Sequence, residues 1–190
     1  MVAAMSARQT LIDELRAHSL IIGEVTLTSG RTASYYVDAK RAILRPAGFG
    51  ALAELVAGYA REWEATAVGG LSMGADAPAC AALAGGADVK AFFIRKETKQ
   101  HGLQRRIEGP PLEPGERCLI VEDVVTTGGS TIQAIEAVHE AGHQVCGVIT
   151  VLDRLASGGA EAIREAARNA PYEPLATIDD IYPDRPDRAA

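Results

Sequence analysis

One stretch of the chain, residues 118–130, limits the possible folds more than any other. It opens with an apolar, partly β-branched run, Cys118 to Val121, which is typical of a buried strand. After this run come two carboxylates, two valines and a turn of small residues, namely Glu122, Asp123, Val124, Val125, Thr126, Thr127, Gly128, Gly129 and Ser130. Apolar residues then recur at helical spacing until Gly142, where a helix is expected to end. The stretch therefore predicts a strand, an acidic pair, a small-residue loop and a helix, in that order.

This order of elements predicts a ligand. Small residues let backbone N–H groups crowd around an oxyanion, and the first turn of a helix adds unpaired donors and the positive end of its dipole. Two carboxylates beside a phosphate suit hydroxyl groups or a metal instead, so the combined ligand is a ribose 5-phosphate. No lysine follows the glycines, so this is not the Gly-x-x-x-x-Gly-Lys phosphate loop. The alternative is a tight strand-to-helix turn in some other α/β protein.

Length and charge exclude several classes of protein. The 190 residues suit one domain, and 47% hydrophobic content is enough for a full core. A net charge of −6 argues against nucleic-acid and membrane-surface binding, which favour a basic face. The three cysteines have no Cys-x-x-Cys spacing and indicate a reducing compartment. The first ten residues lack the apolar core of a signal peptide, and we expect a cytoplasmic protein.

Apolar periodicity divides the rest of the chain into alternating strands and helices. A short helix and a hairpin (residues 21–27 and 33–38) come first, and a helix over 47–61 has apolar residues at i, i+3, i+4 and i+7. Further predicted strands are 65–71, 89–94, 145–152 and 175–178, and further helices are 75–84 and 160–169. The fold class is α/β, a doubly wound, mostly parallel sheet with a small N-terminal helix-hairpin flap. We divide this single domain into a flap (1–42), a core (43–155) and a C-terminal helix with a loose polar tail (156–190).

Three polar segments should meet at one edge of this sheet. They follow Ile94, Val121 and Leu152, and ligands bind beyond the carboxyl ends of strands in such folds. The first segment holds five Lys or Arg residues and one His between positions 95 and 106, in a net acidic chain. A long polar loop of this kind indicates a lid over an anionic substrate. The alternative is a solvated charged loop, and the absence of aromatic residues disfavours nucleic acid.

These motifs resemble a known family. The 118–130 stretch resembles the phosphoribosyl-diphosphate (PRPP) binding motif of type I phosphoribosyltransferases. The Arg-Lys-x-x-Lys-x-His-Gly loop (95–102) is similar to the catalytic loop of orotate phosphoribosyltransferases. The hairpin segments 27–31 and 35–38 and the Leu-Asp-Arg at 152–154 are similar to further motifs of that family. The resemblance covers residues from about 27 to 154.

The resemblance implies a reaction in which orotate and PRPP give orotidine 5′-monophosphate and diphosphate, within pyrimidine biosynthesis. It implies PRPP binding by Arg95, Lys96, Lys99, His101, Glu122, Asp123, Val124, Val125, Thr126, Thr127, Gly128, Gly129 and Ser130. It assigns catalytic roles to Lys96, Lys99, His101 and Asp123, and orotate binding to Thr126 and Arg154. It also implies Mg²⁺, held mainly by PRPP and water, and a homodimer in which Lys96 reaches the partner's site.

Two positions depart from the family pattern. Many members have a lysine where Thr28 stands and another near Met73, and Lys40 or Arg41 is a candidate to replace the missing charge. Of the tyrosines in the hairpin, we expect Tyr36 to line the pocket. The alternatives are a purine phosphoribosyltransferase, which needs no arginine for a base carboxylate, and a PRPP-sensing regulator that binds nucleic acid.

Overall fold

The fold is built on a mostly parallel six-stranded sheet. The computed structural model describes residues 6–26, 32–96, 106–156 and 158–189. The strands are β3 (Ala67–Leu71), β4 (Lys90–Ile94), β5 (Ile107–Glu108), β6 (Arg117–Val125), β7 (Gln144–Asp153) and β8 (Tyr172–Thr177). Their order in the sheet is β5-β4-β3-β6-β7-β8, and only β5 runs antiparallel to its neighbour. This architecture confirms the predicted doubly wound α/β class.

Helices cover both faces of the sheet. They are α1 (Ala7–His18), α2 (Lys40–Ile43), α3 (Pro46–Glu62), α4 (Asp76–Ala84), α5 (Gly129–Glu140), α6 (Gly159–Ala166) and α7 (Ile178–Ile181). Successive side chains of a strand point to opposite faces. Leu119 and Val121 accordingly join a core with α3, whereas Cys118 and Ile120 join a second core with α5. The strand that carries the acidic pair is thus fixed from both sides.

The N-terminal segment contains the predicted helix and hairpin. Ser6 caps α1, since its hydroxyl accepts from the Gln9 amide at 3.2 Å, and Leu11 and Leu15 are fully buried against the core. Strands β1 (Leu20–Thr26) and β2 (Thr32–Val37) form a separate antiparallel sheet. The predicted turn at 29–31 lies outside the described residues.

The structure differs from the sequence predictions in four places. Helices α2 and α7 were not predicted, and the polar segment 95–114 contains β5, which pairs with the end of β4. Elements of four and two residues are too short to show a periodic pattern. The predicted loose tail is instead folded, because a 3₁₀ helix (Pro186–Ala189) places Asp187 against the hairpin.

Candidate active site

The acidic pair lies within β6, close to the carboxyl end of the strand. Glu122 and Asp123 are 4% and 7% exposed. The Asp123 amide donates to Glu122 Oε1 at 3.2 Å, and the Val124 amide donates to Asp123 Oδ1 at 2.8 Å. Local backbone bonds therefore orient both carboxyl groups where the strand gives way to the loop.

A lysine from α2 completes this pair. Lys40 Nζ donates to Asp123 Oδ2 at 2.6 Å and lies 3.3 Å from Asp38 Oδ1. Burial alone would lower the pKa of Lys40, but its hydrogen bond to Asp123 and the charges of Asp123 and Asp38 raise it overall. Lys40 is therefore a charged ammonium group, and Asp123 is its carboxylate partner.

Glu122 has a raised pKa. Burial and, after it, the negative charge of Asp123 raise the pKa of Glu122 to about 8. Near neutral pH the side chain therefore keeps its proton and carries a hydroxyl group that can donate a hydrogen bond. The pair can thus offer both a carboxylate acceptor and a carboxylic acid donor to ligand hydroxyls.

The small-residue loop surrounds a pocket directly beside the pair. Residues 124–131 line a cavity of about 160 Å³. Gly128 precedes α5 with φ +81°, and a Cβ there would lie only 3.0 Å from the Ile163 side chain, so the turn requires glycine. Thr131 is 1% exposed, and its Oγ1 has no hydrogen-bond partner among the described residues. Free amides at the start of α5 and this hydroxyl suit a phosphate group.

Arg154 lies across the site, directly after β7. Its amide donates to Val125 O at 2.9 Å, and its guanidinium carbon lies 5.2 Å from the centre of the Tyr35 ring. The neighbouring Asp153 has other partners, because its oxygens accept from the Tyr172 hydroxyl and the Leu155 amide, both at 2.7 Å. The guanidinium is thus available for an anionic ligand.

The basic segment begins at the end of β4, on the other side of the pair. Arg95 and Lys96 are exposed and line a cavity of about 570 Å³ with Ser72, Phe93 and Glu108. Arg95 Nη1 lies 3.6 Å from Glu108 Oε1, which attaches the start of the loop to β5. Lys99 and His101, to which the resemblance assigns roles, lie outside the described residues.

Comparisons with known proteins identify this arrangement. A family model described as a phosphoribosyl transferase domain matches residues 41–165. An orotate phosphoribosyltransferase of Corynebacterium glutamicum (strain R) is 44% identical over 178 residues, which cover 93% of this chain and 95% of that protein. One of Mycobacterium avium (strain 104) is 44% identical over 174 residues, covering 91% and 95%. The chain belongs to the orotate phosphoribosyltransferase family.

Solved structures agree with this family. Orotate phosphoribosyltransferase of Mycobacterium tuberculosis H37Rv in complex with PRPP is 37% identical, with a TM-score of 0.77 over 92% of this chain and 98% of that one. The same enzyme with Fe(III) dicitrate is 41% identical, with a TM-score of 0.81 over 93% and 99%. An adenine phosphoribosyltransferase of Leishmania donovani, at 15% identity and a TM-score of 0.69 over 95% and 86%, shares the fold alone.

One of the two departures from the orotate phosphoribosyltransferase pattern can be located. Met73 stands in the loop after β3 and is 73% exposed, while Thr28 lies outside the described residues. The neighbouring Gly74 packs so closely on the acidic pair that a Cβ would fall 2.7 Å from Asp123 Oδ1. Of the two candidate replacements, Lys40 contacts the pair and Arg41 is exposed.

Sequence reasoning did not assign a contact to Tyr35. We expected Tyr36 to line the pocket, yet Tyr35 is 3% exposed and holds Arg154, and Tyr36 is 39% exposed. The alternation of β2 was the available signal, since Tyr35 and Val37 share the buried face.

The oxygen donors of the site fit a magnesium ion that arrives with a substrate. Within the described ranges, no group of three or more His, Cys, Asp or Glu side chains could hold a metal. Mg²⁺ usually binds one or two carboxylates together with substrate phosphates and water. Asp123 can supply such a carboxylate, and a site of this kind needs no cage made only of protein. As for membranes, no helix in the described segments is long and apolar enough to span one.

Proposed function

We propose that the chain transfers the 5-phosphoribosyl group of PRPP to orotate, giving orotidine 5′-monophosphate and diphosphate for pyrimidine biosynthesis. One observation carries the proposal. The carboxyl ends of β6 and β7 bring together an acidic pair, a phosphate-sized cavity and a guanidinium that does not pair with Asp153. The similarity to curated orotate phosphoribosyltransferases over most of the chain supports it.

Each part of PRPP has a matching group. The 5-phosphate enters the cavity of residues 124–131, where backbone amides and hydroxyls of Thr126, Thr127 and Ser130 surround it. The ribose hydroxyls bind Asp123 and Glu122, the first as acceptor and the second as a protonated donor. Arg95 and Lys96, together with Lys99 and His101 of the basic loop, take the diphosphate as cations.

Orotate binds between Thr126 and Arg154. Its carboxylate requires a planar cationic partner, and arginine binds carboxylates through two parallel N–H donors. Arg154 directly follows β7. Its amide donates a hydrogen bond to the carbonyl oxygen of Val125, the residue before Thr126. The orotate site therefore lies at the end of β7, next to the PRPP site at the end of β6.

The reaction breaks the bond between ribose C1 and a diphosphate oxygen, forms a bond from C1 to orotate N1, and releases the N1 proton, which the leaving diphosphate can accept. Negative charge grows on the leaving diphosphate while the ribose becomes cation-like. Lys96, Lys99 and His101 stabilise the leaving charge, and the Asp123 carboxylate stabilises the ribose side. Closure of the basic loop excludes water, which would otherwise hydrolyse PRPP.

Phosphoribosyltransferases generally use Mg²⁺ with PRPP, and we propose the same cofactor here. PRPP and water would hold most of its coordination sites, and Asp123 is the protein carboxylate that could complete them. Bound there, the ion neutralises charge on the diphosphate.

We further propose a homodimer with shared sites, in which Lys96 contributes to the partner's diphosphate pocket. Lys96 is exposed at the end of β4, where it is free of the protein core and could extend towards a second chain. A cytoplasmic location is the matching proposal, supported by the three free cysteines.

The test is a substrate panel. Protein, Mg²⁺ and PRPP are mixed with orotate, adenine, hypoxanthine, guanine or uracil, and loss of each base is followed by ultraviolet absorbance. We expect turnover with orotate alone. Turnover with a purine instead would show that Arg154 serves another purpose, and PRPP binding without any turnover would indicate a regulatory protein.

A further inference from the structure

The C-terminal tail makes contact with the base side of the site. The Tyr35 hydroxyl donates to Asp187 Oδ2 at 2.8 Å, across 152 positions of sequence. Asp187 is itself held, because Arg185 Nε lies 3.2 Å from its Oδ1 and the Arg185 side chain is only 10% exposed. Arg185 also pairs with Asp179, at the start of α7. The tail is therefore anchored through Arg185 as well as through the Tyr35 contact.

Tyr35 connects this tail to Arg154. Its ring meets Tyr182 edge to face, with centroids 5.4 Å apart, and carries the Arg154 guanidinium on one face at 5.2 Å. Burial raises the pKa of the Tyr35 phenol and outweighs the nearby Arg154, which would lower it, so the hydroxyl stays protonated and donates. Two contacts, with Asp187 and Tyr182, thus fix the Tyr35 ring on which the guanidinium rests.

The position of the Arg154 guanidinium depends on the Tyr35 ring. Arg154 Nε is buried without a hydrogen-bond partner among the described residues, and the neighbouring Asp153 is occupied by Tyr172 and Leu155. An arginine without an ion pair keeps much of its rotamer freedom, and fixing it in advance improves affinity for a carboxylate. The ring of Tyr35 supplies this restraint.

We propose that Asp187, through Tyr35, is a positioning residue for Arg154 and thereby sets the affinity for orotate. The tail acts on the orotate side of the site and leaves the PRPP side unchanged, since the acidic pair and phosphate loop belong to β6 and α5. The inference rests on the proposed function, because it assumes that Arg154 receives the orotate carboxylate.

The test compares Michaelis constants for both substrates in Tyr35→Phe, Asp187→Ala and the double variant. Loss of one hydrogen bond should raise the KM for orotate roughly three- to tenfold, with the KM for PRPP within about twofold of wild type. In the Asp187→Ala background, Tyr35→Phe should have no further effect on the KM for orotate, since the hydrogen bond that it removes is already lost. Tyr59→Phe is the matched control, because Tyr59 packs on Trp63 near the start of β7, at the far end of the sheet.

The outcomes separate this inference from the proposed function. Unchanged KM values, equal rises for both substrates, or additive effects in the double variant would overturn the positioning role while wild-type orotate turnover stands. A wild type that neither binds nor converts orotate would remove both proposals. Should Tyr35→Phe misfold, Asp187→Ala decides the matter, because the Asp187 side chain is 53% exposed and its loss leaves the core intact.

Discussion

Replacing Lys40 by alanine removes the cation nearest to two buried carboxyl groups. Lys40 Nζ lies 2.6 Å from Asp123 Oδ2, and the side chains are 37% and 10% exposed, respectively. Breaking a fully buried pair destabilises a protein by roughly 3–5 kcal/mol, while an exposed pair contributes about 0–1 kcal/mol. The intermediate exposure places Lys40→Ala between these limits, at about 1–3 kcal/mol of lost unfolding free energy at pH 7.

Urea denaturation measures this loss. Two further variants serve as controls that identify its cause. Arg41→Ala changes the exposed neighbour on the same helix and should alter the unfolding free energy by less than about 0.5 kcal/mol. Asp123→Asn removes the carboxylate charge, so adding Lys40→Ala to that variant should produce a much smaller loss. A Lys40→Ala loss no larger than that of Arg41→Ala, or an unchanged loss in the Asp123→Asn background, would refute the electrostatic role of Lys40.

Three other predictions follow from the same edge of the sheet. The pKa of Glu122, about 8 in the folded chain against 4.5 ordinarily, means that the folded state holds an extra proton between these values. Stability therefore falls as pH rises through that window, by up to about 1.4 kcal/mol per pH unit, and Glu122→Gln should flatten the decline in pH-dependent denaturation. Gly74→Ala should displace the acidic pair and raise the KM for PRPP, whereas Gly50→Ala, with open space around it, should not. Mixing inactive Lys96→Ala and Asp123→Asn chains should restore activity if sites are shared, and inactive mixed dimers would contradict sharing.

Long helices and strands were predictable from the sequence because the spacing of their apolar residues shows which face is buried. Helix α3 follows the apolar spacing expected for 47–61, and the order strand, acidic pair, loop and helix at 118–130 appears as β6 and α5. The small residues before α5 predicted a phosphate pocket, which stays a prediction, and in the structure residues 124–131 line a cavity of about 160 Å³ there.

Contacts between distant segments were not predictable in the same way. Lys40 reaches Asp123 across 83 positions and Tyr35 reaches Asp187 across 152 positions, and neither pair leaves a local pattern. Lys40 could be named only as one of two candidates with Arg41, because a four-residue helix decides which side chain turns inward. The tail was predicted to be loose because its residues are polar. In the fold, these polar residues pair with one another.

The most direct test of the account is a crossed comparison of two Michaelis constants. In the proposed site the two substrates bind at separate strand ends, PRPP at the end of β6 and orotate after β7. Asp123→Asn should therefore raise the KM for PRPP while leaving that for orotate near wild type. Arg154→Ala should raise the KM for orotate roughly tenfold or more, since a charged hydrogen bond contributes about 1.5–3 kcal/mol. Equal effects of each variant on both substrates, or a loss of stability without either effect, would contradict the assignment.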